Sequence, residues 1–248
     1  MISEYFIEFF NRLERQGPGD DNYTELAFCL LDNLPKNPRI LDVGCGTGKQ
    51  TLTLAGIAPC EITAVDVFDS FLNKLNENLK QETLKGTITT LNASMLELPF
   101  EDEQFDLIWS EGSIYIMGFE NGLKEWKRLL KPGGYLVASE ATWLRRDIPE
   151  EILNFWTTAY PEIGTVTEKL AVIEQCGYQP LAHLTLPEYG WQQNYYDQME
   201  AQKQGFLDQY GDVAEAREVV ESELEMERNL YQKYKDYYGY VFYIMRKI

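Results

Sequence analysis

Apolar residues near the N-terminus recur at the spacing of a helix. Aromatic and aliphatic side chains at positions 2, 5, 6, 9, 10 and 13 are separated by charged ones, which predicts an amphipathic helix with an aromatic face. The Gly-Pro-Gly of residues 17–19 ends it, and residues 20–22 can cap a second helix that runs to about residue 31. Residues 1–35 are therefore predicted to form a helical cap. We expect its aromatic face to pack in the core, with ligand contact as the alternative.

Between residues 39 and 140, short apolar runs alternate with helical patterns. The expected strands cover residues 40–43, 62–67, 87–93, 105–109 and 135–140. The expected helices cover residues 49–57, 69–84 and 122–130, and a Lys-Pro-Gly-Gly turn precedes the fifth strand. Strands that alternate with helices in this way form right-handed βαβ units. The pattern therefore predicts a parallel, doubly wound α/β sheet.

The last part of the chain is more helical. Helices are expected over residues 149–160 and 165–176, and strands over 181–186 and 240–246. Between these strands, residues 187–237 form a helical insertion that is too long for a bare loop. Its apolar positions from 213 to 234 predict one long amphipathic helix, and the acidic run 218–227 is expected to be its solvated face. The insertion is predicted to be either a lid or an oligomer contact, as in a homodimer.

The composition narrows the classes of function. With 22 basic and 40 acidic residues, the formal charge of −18 disfavours nucleic acid and anionic membranes as partners, since phosphate attracts Lys and Arg. Four cysteines without a CxxC pair and a lone histidine, His183, argue against a zinc site. The N-terminus lacks the basic segment of a signal peptide, and no apolar run approaches the ~18 residues of a membrane span. We expect a cytoplasmic protein without a metal.

A glycine-rich turn is the sharpest local signal. The segment Asp-Val-Gly-Cys-Gly-Thr-Gly, residues 42–48, leaves a predicted strand and opens a predicted helix, where glycine lets the backbone approach a ligand. A dinucleotide fingerprint would need glycine at position 49, where the chain has Lys49. The spacing of a P-loop is missed as well, since Gln50 follows where Ser or Thr is required. At the end of the second strand, Asp66 is placed to accept hydrogen bonds from ribose hydroxyls.

From about residue 38 to 140 the chain resembles the class I S-adenosylmethionine-dependent methyltransferases. It is most similar to the branch that holds the ubiquinone/menaquinone-biosynthesis and related small-molecule enzymes. The resemblance rests on the glycine turn, Asp66, and three later segments in the right order: 95–100, 105–108 and 128–134. It implies a Rossmann-like, seven-stranded sheet with an antiparallel last strand, covering residues 36–248. It also implies S-adenosyl-L-methionine as the cofactor.

The resemblance assigns cofactor-binding roles to residues of this sequence. It makes Gly44, Gly46 and Gly48 the floor under the methionyl part, with Asp42 orienting the turn and the cofactor's ammonium. Asp66 would bind the ribose diol. Ser94 stands where this branch commonly has an Asp that contacts the adenine amino group, so that contact is weaker or has moved. The remaining expected contacts are the small turn residue Cys45, the adenine neighbours Val67 and Met95, the link residues Gln16 and Gly17, and Glu111.

Candidates for chemistry follow the fourth strand. Glu111 is expected to contact the cofactor or to act as a base, and Tyr115 lies where relatives often carry a catalytic His. We expect the cavity walls to include the aromatic face of residues 5–10, the link 16–19, and Trp191, Tyr195 and Tyr196. Tyr195 is also a catalytic candidate. The lone His183 is expected to be structural.

The predicted reaction is an in-line displacement that moves a methyl group to a small molecule. The chain lacks the Asn/Asp-Pro-Pro-Tyr motif of adenine and glutamine methyltransferases and the Pro-Cys pair of cytosine C5 enzymes. Those absences and the acidic charge favour a small-molecule acceptor. Two alternatives are a cofactor-binding regulatory protein without turnover and a methyltransferase that acts on a protein or RNA.

Overall fold

The computed structural model describes residues 3–248, and a single mixed β-sheet lies at its centre. Its strands are β1 (Arg39–Val43), β2 (Glu61–Asp66), β3 (Thr87–Asn92), β4 (Phe105–Glu111), β5 (Leu130–Trp143), β6 (Gly164–Thr165), β7 (Tyr178–Thr185) and β8 (Tyr238–Lys247). The spatial order is β3-β2-β1-β4-β5-β8-β7, with the short β6 paired to β5. Strands β1 to β5 are parallel, and β8 runs antiparallel to both β5 and β7. The predicted doubly wound sheet with an antiparallel last strand is confirmed.

Helices cover both faces of the sheet, as the long apolar runs of its central strands require. All but the last residue of β4 are buried, and so are four of the five residues of β1. The helices are α1 (Glu4–Phe10), α2 (Asp21–Cys29), α3 (Lys49–Ile57), α4 (Asp69–Leu79), α5 (Phe119–Lys127), α6 (Glu150–Ala159), α7 (Val166–Gln175), α8 (Glu188–Trp191), α9 (Asp197–Tyr210), α10 (Ala214–Val219) and α11 (Glu227–Tyr234). Within residues 3–248, no helix has both the length and the apolar sequence that a membrane-spanning segment needs.

Several boundaries differ from those expected. Helix α4 ends at Leu79, five residues before the expected end, and α5 spans Phe119–Lys127 where 122–130 was expected. Strand β5 already begins at Leu130, because Leu130 pairs with Phe105 before the register shifts. The expected turn at 131–134 is therefore an irregularity inside a long strand. Position 2 of the N-terminal apolar pattern lies outside the described residues.

The insertion contains more helical segments than expected. Helices α8 and α9 are joined by a π-helical turn, Gln192–Tyr196, and α10 and α11 by a longer one, Val220–Met226. The expected single helix over 213–234 is therefore a continuous helical run with a π-helical centre. A π-helix has a wider turn than an α-helix. Consistent with this change of register, Glu218, Glu221 and Glu225 are exposed, whereas Glu223 and Glu227 are partly buried.

The helical cap packs against this insertion. The rings of Phe9 and Phe206 lie 5.0 Å apart, and Tyr5 meets Tyr210 edge-on at 5.5 Å. The guanidinium of Arg12 lies 5.3 Å from the centre of the Phe206 ring. The two segments are distant in sequence, yet they form one aromatic layer. The expectation that the aromatic face packs in the core is confirmed for Phe9.

Truncating Phe9 tests whether the cap and the insertion are one folded unit. Phe9 is fully buried, so we expect Phe9→Ala to lower the free energy of unfolding by about 3–5 kcal/mol. Urea unfolding followed by circular dichroism measures it. The control is Leu26→Ala on α2, where the side chain is 45% exposed and a change within about 0.5 kcal/mol is expected. Equal effects of the two substitutions would show that this packing is absent.

Candidate functional site

A cavity of about 260 Å³ lies at the carboxyl ends of β1, β2 and β4, the edge where open α/β sheets bind ligands. Of the predicted site residues, those that line it are Gln16, Gly17, Gly44, Cys45, Gly46, Asp66, Val67, Ser94, Met95, Glu111 and Tyr115. Three others, Asp42, Gly48 and Tyr195, do not line it. The structure thus brings together residues from the cap, the glycine turn and the ends of β2 and β4.

The glycine turn forms one wall because its backbone adopts left-handed conformations. Gly44 has φ +72° and Gly46 has φ +55°, a region that favours glycine. A Cβ on Gly44 would lie 2.5 Å from the Ser113 side chain, and one on Gly46 would collide with Gln16. Glycine is therefore needed at both positions, because a side chain there would collide with the residues that close the cavity and with any ligand inside it.

Gly48 has a role in helix packing, whereas it was expected in the floor of the cofactor site. It lies at the N-terminus of α3 with φ +84°, and a Cβ there would collide with the side chain of Leu75 on α4. Its missing side chain therefore lets α3 approach α4. The structure places Gly48 behind the cavity wall and not in the cavity floor.

Asp42 also lies behind the cavity. It is fully buried and accepts hydrogen bonds from the Thr51 hydroxyl at 2.5 Å and the Gln50 amide at 3.3 Å. Burial raises the pKa of Asp42 to about 7, although these hydrogen bonds lower it. Gln50 lines the cavity, and its amide also donates to the carbonyl of Cys45 at 3.1 Å. Asp42 therefore holds the turn and Gln50 in place, and Gln50 is the side chain that reaches the ligand space.

Asp66 holds the glycine turn from the end of β2. Its carboxylate oxygens accept hydrogen bonds from the backbone N–H of Gly46 at 2.9 Å and of Phe68 at 3.0 Å. Burial raises the pKa of the Asp66 carboxyl, against these backbone hydrogen bonds. Each oxygen keeps a second lone pair. The carboxylate can therefore accept further hydrogen bonds from a ligand in the cavity.

The cap is joined to the glycine turn by a pair of hydrogen bonds. The Gln16 amide donates to the Thr47 hydroxyl at 2.8 Å, and the Thr47 backbone N–H donates to the Gln16 carbonyl oxygen at 2.9 Å. The Thr47 hydroxyl in turn donates to the Glu14 carbonyl at 3.0 Å. Phe6 and Phe10 line the cavity, with their rings stacked 4.1 Å apart. Ligand contact, the alternative for the aromatic face, thus applies to these two residues.

Glu111 binds the cap to the end of β4. Its carboxylate accepts hydrogen bonds from Arg15 at 3.0 Å, Thr24 at 2.6 Å and the Trp109 indole at 2.9 Å. The Arg15 and Glu111 side chains are only 6% and 5% exposed. A carboxylate with three donors around it is suited to holding elements together. The arrangement favours this positioning role for Glu111 over the predicted role of a base.

The expected wall residues of the insertion are packed elsewhere. The ring of Trp191 stacks on Tyr231 at 4.6 Å, and Tyr196 lies beside both. Neither Trp191 nor Tyr196 lines the cavity, because both fill the aromatic core of the insertion. His183 is exposed on β7 and away from the cavity lining.

The side-chain contacts of four residues at this site were not predicted from the sequence: Arg15, Thr24, Thr47 and Gln50. All four act through partners on other elements. The sequence did offer a signal for Thr47 and Gln50, because these polar side chains lie within and directly after the glycine turn. No local pattern marks Arg15 and Thr24. Among residues 3–248, no group of three or more His, Cys, Asp or Glu side chains could hold a metal ion.

Comparison with known proteins shows which family the chain resembles. The family described as "Methyltransferase domain" matches residues 41–138. The ubiquinone/menaquinone biosynthesis C-methyltransferase of Geotalea daltonii is 30% identical over 66% of this chain and 71% of its own length. The 2-methyl-6-phytyl-1,4-hydroquinone methyltransferase of Synechocystis is 33% identical over 51% of this chain and 38% of its own. Several other curated relatives are likewise matched over less than half of their length.

The similarity in fold extends over the full length of this chain. A methyltransferase from Geobacter sulfurreducens, solved in complex with S-adenosyl-L-homocysteine, superposes with a TM-score of 0.83 at 19% identity. That match covers 100% of this chain and 99% of the other. The cavity occupies the edge of the sheet that the glycine turn and Asp66 predicted. The chain belongs to the class I S-adenosylmethionine-dependent methyltransferases.

Proposed function

We propose that this protein binds S-adenosylmethionine in the cavity and transfers its methyl group to a small-molecule acceptor. The observation that carries the proposal is the convergence of the glycine turn, the Asp66 carboxylate and the aromatic cap on one cavity. The net charge of −18 disfavours a nucleic-acid acceptor. Relatives named as quinone methyltransferases support a small molecule.

The residues around the cavity fit the cofactor's parts. The free lone pairs of Asp66 suit a ribose diol. Val67, Phe68 and Met95 supply apolar surface beside Asp66, which suits a flat purine base. The Ser94 hydroxyl accepts the Leu96 N–H at 3.2 Å and still has a proton to donate. The glycine turn and the Gln50 amide form the polar end, where we place the methionyl part.

When bound, the cofactor supplies a methyl group already activated by the positive sulfonium. The chain's own residues then have to align the acceptor and exclude water. Phe6, Phe10 and Tyr115 line the cavity with aromatic rings, and such rings attract a cation on their faces. The cap is held over the cavity by the Gln16–Thr47 and Arg15–Glu111 contacts. These contacts would keep water from the reacting atoms.

Removing the Asp66 carboxylate tests cofactor binding and transfer together. We expect Asp66→Ala to weaken the affinity for S-adenosyl-L-homocysteine by about tenfold or more, since hydrogen bonds to a charged group contribute about 1.5–3 kcal/mol. Titration calorimetry measures this. The matched control is Asp69→Ala, which removes an exposed carboxylate outside the cavity lining and is expected to leave the affinity unchanged.

Transfer is measured with methyl-labelled cofactor and a cell extract. We expect the wild-type protein to label a small-molecule fraction and Asp66→Ala to lose most of that label. Cofactor binding by the wild type without any labelled product would indicate a regulatory protein. Label in protein or RNA would replace the small-molecule acceptor with a polymer. If the wild type binds neither S-adenosylmethionine nor its demethylated product, the proposed function is wrong.

Glu111→Gln distinguishes a positioning residue from a general base. We expect a loss of stability of about 1–3 kcal/mol, because the substitution removes one of the two carboxylates that pair with the buried Arg15 charge and leaves only Asp21. The shape of the pH–rate profile should stay the same. A base would instead show a rate loss of about 10²–10⁴-fold and the loss of the profile's acid limb. Urea unfolding and the pH dependence of kcat measure the two effects.

A further inference from the structure

A buried cluster of three polar side chains lies beside the cavity. It consists of Glu140 on β5, Tyr160 directly after α6 and Lys169 on α7, which are 1%, 6% and 3% exposed. The Lys169 ammonium lies 3.3 Å from a carboxylate oxygen of Glu140 and donates a hydrogen bond to the Tyr160 hydroxyl at 3.1 Å. One lysine therefore joins a strand, a helix and the segment between α6 and α7.

The cluster is costly to bury. Burial raises the pKa of Glu140 and lowers the pKa of Lys169, although the attraction between the two charges acts against both shifts. The second carboxylate oxygen of Glu140 has no hydrogen-bond partner within residues 3–248. Apolar residues of similar volume often stabilise a fold as well as a buried ion pair does. Stability alone therefore does not account for polar groups at this place, whereas the need to fix the position of a neighbour would.

The cluster contacts the cavity wall through one pair of rings. Tyr160 meets Tyr115 edge-on, with the ring centres 6.1 Å apart, and Tyr115 lines the cavity. Tyr115 lies on a single 3₁₀ turn, Ile114–Ile116, between β4 and α5. It is 47% exposed, so burial holds its ring only in part. The Tyr160 ring therefore limits the positions that the Tyr115 ring can take.

The segment that carries Tyr160 is itself fixed on two sides. It ends in β6, which pairs with β5. Gly118, just after the 3₁₀ turn, has φ +83°, and a Cβ there would collide with the Glu162 carboxylate of the segment. The Lys169 ammonium also lies 4.5 Å from the centre of the Phe119 ring at the start of α5. The 3₁₀ turn is thus packed against a segment that the sheet and the cluster hold in place.

We propose that Tyr160 is a positioning residue of the methyl-transfer site. Lys169 and Glu140 hold its hydroxyl, and its ring keeps the Tyr115 ring at the cavity wall. Tyr160 does not line the cavity and acts through Tyr115. The inference rests on the proposed function, in which this wall aligns the acceptor with the methyl group. A displacement of about 1 Å in such an alignment can lower a rate by about 10²-fold.

Hydrogen exchange tests the positioning without any acceptor. The backbone N–H groups of residues 116–118 bond to the carbonyls of residues 113–115, so their exchange rates report the opening of the 3₁₀ turn. We expect Tyr160→Phe, which removes only the hydroxyl, to speed this exchange by about tenfold. Mass spectrometry of the peptide that covers residues 113–118 measures it.

The matched control is Tyr178→Phe. The Tyr178 hydroxyl is also buried and donates to the Leu123 carbonyl of α5 at 2.9 Å, but Tyr178 lies outside the cavity lining and makes no ring pair with Tyr115. This variant should change the exchange of the 3₁₀ turn by less than about twofold. Unchanged exchange in Tyr160→Phe, or an equal increase in Tyr178→Phe, would overturn the inference.

A double variant tests the part played by the ion pair. Lys169→Met combined with Glu140→Leu removes both charges, so neither is left buried without its partner. Because the Tyr160 hydroxyl then loses its donor, the exchange of the 3₁₀ turn should speed up as it does in Tyr160→Phe. Wild-type exchange in a folded double variant would contradict the role given to Lys169 and Glu140.

A double-mutant cycle on transfer tests whether Tyr160 acts through Tyr115. The initial rate is measured at saturating cofactor with the acceptor fraction that the wild type labels. We expect Tyr160→Phe to lower this rate about five- to tenfold in the wild type. In Tyr115→Leu, where the supported ring is missing, the same substitution should lower it by less than about twofold. An equal loss in both backgrounds would overturn the inference.

The outcomes separate this inference from the proposed function. If the wild type transfers a methyl group and the cycle is additive, the inference fails and the proposed function stands. If the wild type transfers no methyl group, the proposed function fails, and hydrogen exchange alone decides whether Tyr160 positions Tyr115.

Discussion

The buried carboxylate of Glu111 holds together the elements that close the site. It ends β4, and its three donors come from Arg15 between α1 and α2, from Thr24 on α2 and from Trp109 on its own strand. A buried ion pair costs free energy unless its geometry and hydrogen bonds compensate for desolvation. Here both side chains are almost fully buried and each has further partners, since Arg15 also pairs with Asp21 at 2.6 Å. The cap therefore has one position over the sheet, and the cavity depends on that position.

Two acidic environments, at the glycine turn and at the end of β4, show how burial and hydrogen-bond partners determine the role of a carboxylate. Asp42 is buried among neutral donors, and its pKa rises to about 7. Glu111 is buried with a cation. The first stabilises the glycine turn and the second anchors the cap.

The site residues that were predicted correctly from the sequence belong to continuous local patterns. The glycine turn follows a buried strand and precedes a helix, and parallel strands bring their carboxyl ends to one edge of the sheet, so Gly44, Gly46 and Asp66 were placed correctly beside the cavity. Gly48 belongs to the same pattern but serves the packing of Leu75. A missing side chain looks the same in the sequence whether a ligand or another helix fills the space.

The sequence by itself determined the order of strands and helices, the glycine turn and the family, because these depend on local periodicity and on motifs within short stretches. The tertiary structure alone decided which aromatic residues face the cavity, since Phe6 and Phe10 do and Trp191 and Tyr196 do not. It also decided the pairing of Arg15 with Glu111 and the partial burial of Glu223 and Glu227. Such contacts join residues far apart in the chain or follow a change in helical register. Neither kind of contact leaves a periodic signal in the sequence. The free energy of these contacts comes from burial and from partners that exist only in the folded chain.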